Sequence, residues 1–370
     1  LTTNIDQRDY RDLLNLVVSS INARLQDFFR EITCEALQES PRTKELVGVG
    51  EEFTLRGGKR LRALLIVAGY WSAGCSLEEI DRVLDLGAAI ELLQSYLLIH
   101  DDIMDKDELR RGGPTAHVTF TKRCIEQGWR ECLHYGISQA ITLGDFLEAC
   151  AVGLLVAPRI PTHVIRELIK TYSRGLRKVA YGQFLDVILS QLPLAEISEK
   201  DVLLVYKLKT SSYTIELPLH LGALACVVDH AKILDDLSRY AIPAGIAFQI
   251  RDDIIGLYGS PQVTGKPAGS DVKGKKKTLL VVKAYELAEE AERKFLRNVY
   301  EVLESQQIND LHINRVREIV EATGSLNYSE KLIDKYVSEA LNALEYSKSI
   351  CREAKDFLKF ITMRLAYREK

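Results

Sequence analysis

The sequence predicts an all-α fold, and three observations carry that prediction. Apolar residues recur at helical spacing through most of the 370 residues. No stretch alternates convincingly between apolar and polar residues. No Rossmann or P-loop glycine pattern is present, nor a repeat of roughly 20–50 residues. Length alone suggests two or three domains. No composition break marks a linker, however, so residues 1–370 read as a single large helical bundle.

The elements follow in order. Leu14, Val17, Val18, Ile21, Leu25, Phe28 and Phe29 make an amphipathic helix over Leu13 to Leu37, closed by a turn containing Pro41. Gly57-Gly58-Lys59-Arg60-Leu61-Arg62 opens a second helix through Tyr70. Ser76, with Glu79 three residues on, has the form of a capping box and begins a long helix through Leu86, Ile90, Leu93 and Leu97 to Asp105. Gly112-Gly113-Pro114 breaks the chain. Ser138 to Val156 is helical, and Pro161 starts another helix to about Leu189. Ser198 caps a short helix, Thr210 to Val228 follows, and Asp235 to Tyr258 is a further helix with Pro243 near its first turns. Ser260 to Lys277 is a long polar loop of the kind that serves as a lid or binding loop. Thr278 to the end reads as three or four amphipathic helices.

Composition excludes several classes. A net charge of -3 argues against general nucleic-acid binding. Seven scattered cysteines (34, 75, 124, 132, 150, 226, 351), none in a CxxC pair, are read as reduced thiols of a cytosolic protein. Leu1 to Arg11 has no apolar core and is not read as a signal peptide. No run of about 18 uncharged apolar residues exists, so no membrane span is expected.

Two acidic stretches carry the chemistry. In Ile99-His100-Asp101-Asp102-Ile103-Met104-Asp105, Asp101 and Asp105 stand one helical turn apart on one face. Carboxylates so placed repel one another unless a cation is present. Mg²⁺ suits them, because it prefers oxygen ligands and keeps waters that substrate phosphates can share. In Phe248-Gln249-Ile250-Arg251-Asp252-Asp253, Gln249, Asp252 and Asp253 share a second helix face. A single Asp-Asp pair is usually a solvated helix end. Two pairs at the ends of apolar helices suggest two walls of one cavity holding a diphosphate. The cations are Lys59, Arg60 and Arg62 after a glycine turn, Arg110-Arg111, Lys207, Lys209, Lys266 and Lys275-Lys276-Lys277. Taken alone, basic residues after a glycine turn and a lysine run are usually solvated surface, and Arg110-Arg111 is as readily a solvated pair as a binding one. The histidines form no HxxxH or HExxH pair, so zinc hydrolysis is unsupported. His100 is read as a hydrogen-bonded helix histidine.

At this point the residues resemble a known family. Gly57-Gly58-Lys59-Arg60-Leu61-Arg62, Asp101 to Asp105 with Arg110-Arg111-Gly112, Leu143-Gly144-Asp145, Gly182-Gln183 with Asp186, Lys209-Thr210, Phe248-Gln249 with Asp252-Asp253, and Thr264-Gly265-Lys266 with Asp271 occur in this order. The set resembles the trans-type isoprenyl diphosphate synthases, and within them the archaeal short-chain geranylgeranyl and farnesyl diphosphate synthases. The match runs over about residues 50–285. The resemblance implies an all-α bundle around a central cavity, a homodimer and three Mg²⁺ per active site; the cytoplasmic location is expected from the cysteines alone. It implies condensation of isopentenyl diphosphate with dimethylallyl, geranyl or farnesyl diphosphate.

Carried over by position, Asp101, Asp102 and Asp105 bind metal on one side, with Asp252 opposite and Asp253 and Gln249 assisting. Arg110, Lys209, Thr210, Lys266 and Lys276 hold the allylic diphosphate, with Lys275 or Lys277 as substitutes for Lys276. Lys59, Arg62, Gln94 and Arg111 hold isopentenyl diphosphate. Gly256 departs from the pattern, which usually has a third Asp there. Leu97 and Leu93 lie about 40° and 80° from the Asp101 direction. The resemblance adds Tyr96 as the plug that sets product length, with C20 expected and C15 the alternative. A class I terpene cyclase would lack the second Asp pair. A non-catalytic subunit of a heteromeric synthase would usually have lost one acidic motif.

Overall fold

The computed structural model describes residues 7–156, 160–226, 230–259 and 269–368. The chain forms two compact units, Leu1–Thr171 with Pro218–Val228 and Tyr172–Leu217 with Asp229–Lys370. Among the described residues the structure is helical except for turns and one small hairpin, as the 3.6-residue periodicity predicts.

The first unit is built on the helix Leu84–Met104, which ends in the first acidic motif. Leu86, Ala88, Ala89, Ile90, Leu92, Leu93 and Ile99 of this helix are fully buried. Each large side chain so enclosed contributes on the order of 1.5–3 kcal/mol of transfer free energy. The helix packs against Gln7–Glu39, Leu61–Ser72 and Cys132–Leu155. At Gly87 a Cβ would meet the end of the Ile21 side chain, so the glycine gives that side chain of the first helix its place. Ser76 accepts a hydrogen bond from the Glu78 N–H, but the segment it starts, Leu77–Val83, is a 3-10 helix. The long helix expected from Ser76 therefore begins at Leu84.

Two helices, Leu77–Met104 and Cys132–Leu155, are long and apolar enough to cross a membrane by length and composition. The first is 61% buried within the protein over its most apolar window. The same property describes a helix apolar on all sides because protein surrounds it.

Other features also differ from expectation. A helix over Lys44–Leu55 buries Val47, Val49 and Phe53 in a stretch read only as a connection. The break at Gly112-Gly113-Pro114 is a two-stranded hairpin, Leu109–Arg110 against Gly113–Pro114. The reduced-thiol reading is overturned in part. Cys75 pairs with Cys226 and Cys124 with Cys132, while Cys34, Cys150 and Cys351 take part in no disulfide among the described residues. The first pair is 151 residues apart in sequence, and only packing of the return segment on Leu61–Ser72 brings it together.

In the second unit the helix His230–Tyr258 runs through Pro243 and carries the second acidic motif. Its Ile246, Ala247, Ile250, Ile254 and Leu257 enter one core with Leu279–Val282, Val316, Ile319 and Val320. Ser198 caps Glu199–Val205 in a capping box with Asp201. The next segment, Tyr206–Glu216, is a π-helix rather than part of a regular helix. After Thr278 the described residues form five α-helices, not the three or four expected: Leu279–Leu287, Glu290–Arg297, Asp310–Ala322, Ser325–Tyr346 and Arg352–Ala366. The last is tied back by Tyr240, whose hydroxyl donates to Leu358 O (3.1 Å) or shares a hydrogen with Thr362 Oγ1 (2.9 Å).

Candidate active site

In the first unit the hairpin turns Arg110 and Arg111 to opposite duties. Arg110 Nε donates to Asp102 Oδ1 at 2.8 Å, and its Nη2 stands 3.8 Å from Asp101 and 3.4 Å from Asp107. Asp102 is wholly buried. Burial pushes its carboxyl up to about 6, against the pull of Arg110. Its Oδ2 is buried with no hydrogen-bond partner among the described residues. Asp101 and Asp105 are partly exposed.

Arg111 donates to the carbonyl oxygens of Gly57 (3.2 Å) and Arg56 (3.4 Å). Burial pushes its guanidinium down from the usual value; Arg60, Arg62 and Arg110 push the same way, against Glu91. Cations that depress one another mark a place where an anion is welcome. Arg60 is already neutralised within this cluster: it is buried, 3.2 Å from Glu91, and donates to Asn22 and to Thr54 O. Of the other cations in this cluster, Lys59 is exposed, whereas Arg62 and Arg111 are half-buried. Gln94 Oε1 is buried with no hydrogen-bond partner among the described residues.

Sequence reasoning passed over Arg56. It donates to Pro114 O (2.7 Å) and Arg110 O (3.2 Å), and a Cβ at Gly113 would collide with its guanidinium. Arg56 thereby fixes the hairpin that presents Arg110 and Arg111. Its only sequence signal was Glu52 one turn earlier. His100 is the hydrogen-bonded helix histidine expected, with Nε2 3.2 Å from Ile141 O. Of the three chain-length residues, Leu93 is wholly enclosed, whereas Tyr96 and Leu97 remain partly exposed.

In the second unit Asp253 is buried and accepts hydrogen bonds from Tyr206 Oη and from Gln249 Nε2 (2.8 Å). Burial raises its carboxyl to about 7, helped by Asp271 and opposed by those hydrogen bonds and the Lys276 charge. Gln249 Oε1 accepts from Thr210 Oγ1 at 2.7 Å, and Lys209 Nζ pairs with Asp186 at 2.5 Å. The Gly182-Gln183 motif has its reason here: a Cβ at Gly182 would strike the backbone of Leu208 and Lys209. Asp252 forms an ion pair with Arg368, which also lies over the Phe248 ring.

The lysine run separates into roles. Lys277 is buried and donates to Ser190 O and Leu192 O at the end of a helix. Lys276 is the lysine whose charge acts on Asp253. Lys266 lies outside the described residues. At Gly256 a Cβ would collide with the Asp271 carboxylate, which occupies the space that a third motif side chain would need. Tyr206, also missed, accepts from Leu279 N–H (2.9 Å) while donating to Asp253.

Among the described residues no three His, Cys, Asp or Glu side chains converge into a ready-made metal cage. Mg²⁺ binds through one or two carboxylates and shares its remaining positions with water and phosphate. The oxygen-only donors and the open Oδ2 of Asp102 fit such an ion. One cleft of about 770 Å³, lined by Arg42, Phe120, Arg123, Trp129 and Tyr135, contains no motif residue.

Residues 43–319 match the polyprenyl synthetase family. The chain belongs to that family. It is 32% identical over 328 residues to the geranylfarnesyl diphosphate synthase of Aeropyrum pernix, covering 88% of this chain and 95% of that one. It is 33% identical over 295 residues to the geranylgeranyl diphosphate synthase of Sulfolobus acidocaldarius, covering 79% and 82%. The crystal structure of a geranylgeranyl pyrophosphate synthase from Corynebacterium glutamicum, complexed with isoprenyl diphosphate and magnesium, superposes with a TM-score of 0.87. That pair is 30% identical, covering 94% of this chain and 98% of the other. This polyprenyl synthase is a chain-elongating trans-prenyltransferase with the all-α isoprenoid synthase fold.

Proposed function

We propose that this synthase is a single-domain, Mg²⁺-dependent enzyme that makes geranylgeranyl diphosphate (C20) from isopentenyl diphosphate and dimethylallyl, geranyl or farnesyl diphosphate. The observation that carries this reading is the placement of each acidic motif beside its own cations. Arg110 stands at Asp101 and Asp102, while Lys276 acts on Asp253. Asp101, Asp102 and Asp105 of the first unit, and Asp252 of the second with Asp253 and Gln249 in support, would hold the metals. Three Mg²⁺, when bound, would neutralise charge on the leaving diphosphate.

The chain's own residues do the rest. Arg110, Lys209, Thr210, Lys266 and Lys276 hold the allylic diphosphate and stabilise charge as its C–O bond breaks. Lys59, Arg62, Gln94 and Arg111 fix isopentenyl diphosphate so that its double bond meets the allylic cation. Leu97 and Tyr96 keep water from the growing chain.

The same reading includes a cytoplasmic homodimer with no membrane span. Ile125, Trp129, Leu133 and Ile141, all exposed, offer an apolar surface to a second copy. Disulfides inside cells have precedent in hyperthermophiles. The test is incubation of purified protein with labelled isopentenyl diphosphate, each primer and Mg²⁺. A C20 product that disappears in Asp101→Ala supports the reading. Absence of any elongated product defeats it. A C15 or C25 product corrects only the length.

A further inference from the structure

Tyr96 and His100 stand one turn apart on the helix Leu84–Met104, so they share a face. Their rings meet edge to face, with centroids 4.8 Å apart and planes inclined by 69°. This is the geometry that aromatic quadrupoles favour. The imidazole is itself fixed from the neighbouring helix Cys132–Leu155. Its Nε2 is 3.2 Å from Ile141 O, and a carbonyl can only accept, so Nε2 carries the hydrogen. Asp145 stands 3.9 Å from the same nitrogen. Beneath the ring is Gly144, where a Cβ would occupy the space of the imidazole itself. A missing side chain on one helix thus makes the seat for a ring on the other, and that ring supports Tyr96.

We infer that His100 and Gly144 are positioning residues for product length: they fix the Tyr96 ring that closes the path of the growing chain. The inference rests on the reading of Tyr96 as that floor. Tyr96 alone is a side chain with two rotatable bonds and a partly exposed ring. Held edge-on against a seated imidazole, it has one orientation. Without the imidazole the ring can turn aside and admit another five-carbon unit. Gly144 acts only through His100, since alanine there evicts the ring.

The test is product length by mass spectrometry of extracted prenyl alcohols for wild type, Tyr96→Ala, His100→Ala, His100→Phe, Gly144→Ala and Tyr96→Ala/His100→Ala. His100→Ala and Gly144→Ala should each shift the main product upward by at least one C5 unit. His100→Phe, which keeps a ring on Tyr96, should retain the wild-type length more closely than His100→Ala does. In the Tyr96→Ala background, His100→Ala should add nothing further, because the two act through one element. Loss of rate without a change of length is what a merely structural role would give. Because length is read on whatever product forms, a slow variant still reports. Wild-type length in both His100→Ala and Gly144→Ala, with Tyr96→Ala lengthened, overturns the inference alone. An unchanged Tyr96→Ala product overturns the floor itself, and no elongation by wild type overturns the enzyme reading.

Discussion

The Arg368 guanidinium forms an ion pair with the Asp252 carboxylate and lies 4.8 Å from the centre of the Phe248 ring, one turn back on the same helix. Arg251 Nε donates to Ala366 O at 2.7 Å and holds the chain end in place. A cation of the chain thus occupies the carboxylate proposed as a principal metal ligand. Arg368→Gln should strengthen Mg²⁺ binding in the absence of substrate. Because Asp252 is 38% exposed, the pair is worth about 0.2–1 kcal/mol, a change in affinity of about 1.4- to fivefold. Titration calorimetry of Arg368→Gln against Arg364→Gln, an exposed control, checks this. Equal affinities would show that Mg²⁺ does not meet Arg368 at Asp252.

Proton release should accompany metal uptake. Burial raises Asp102 to about 6 and Asp253 to about 7, so both are partly protonated near neutrality. A bound cation favours their ionised forms. Calorimetry in buffers of different ionisation heat should show net release near pH 6–7, fading at higher pH. The same shifts fix a sign for stability. Both acids are weaker in the folded chain than in the unfolded one, so the folded state binds more protons between about pH 4 and 7. Their contribution to metal-free stability therefore falls as pH rises through that window. Asp253→Asn should flatten the slope of melting temperature against pH.

Gly256→Asp, which writes in the carboxylate the family pattern usually has, should damage this chain. The new Cβ meets the Asp271 carboxylate, and two like charges would share the space. A loss of about 1–3 kcal/mol is expected from overpacking alone. Denaturant unfolding should show Gly256→Asp clearly less stable than wild type, and Gly256→Asp/Asp271→Gly partly restored. A fully stable single variant would mean that residues 256 and 271 are not in contact.

Tyr206→Phe should cost stability out of proportion to one oxygen atom. The hydroxyl donates to Asp253 and accepts from Leu279 N–H, and both partners are buried. Removing it strands two polar groups, at about 1–3 kcal/mol each. The measurement is chemical denaturation, with Tyr328→Phe, at a partly buried hydroxyl, as the milder comparison.

The helices were legible because burial imposes a 3.6-residue pattern that survives in a single sequence, as with Val17, Ile21, Leu25 and Phe28. Lys44–Leu55 was missed because Gly48 and Gly50 dilute its pattern. The acidic motifs and their arginines were legible because helix spacing places local carboxylates on one face. Arg60–Glu91, Tyr206–Asp253, Gly256–Asp271 and Arg368–Asp252 were not, since a pairing between distant residues leaves no periodic trace. The same holds for the cysteines. Their spacing gave no pattern, and packing alone chose which would meet.

The bond between Cys75 and Cys226 has one more consequence. The first unit is assembled from two separate stretches of chain, and this bond closes them into a ring. A cut in the backbone between the two cysteines opens the ring without dividing it. The fragments would travel as one body on a denaturing gel and separate only when a reductant is added. In the chain-entropy account, closing a loop this long disfavours the unfolded state by about 5 kcal/mol. The Pro218–Val228 segment, which arrives last from the chain, is therefore the one this unit cannot mislay.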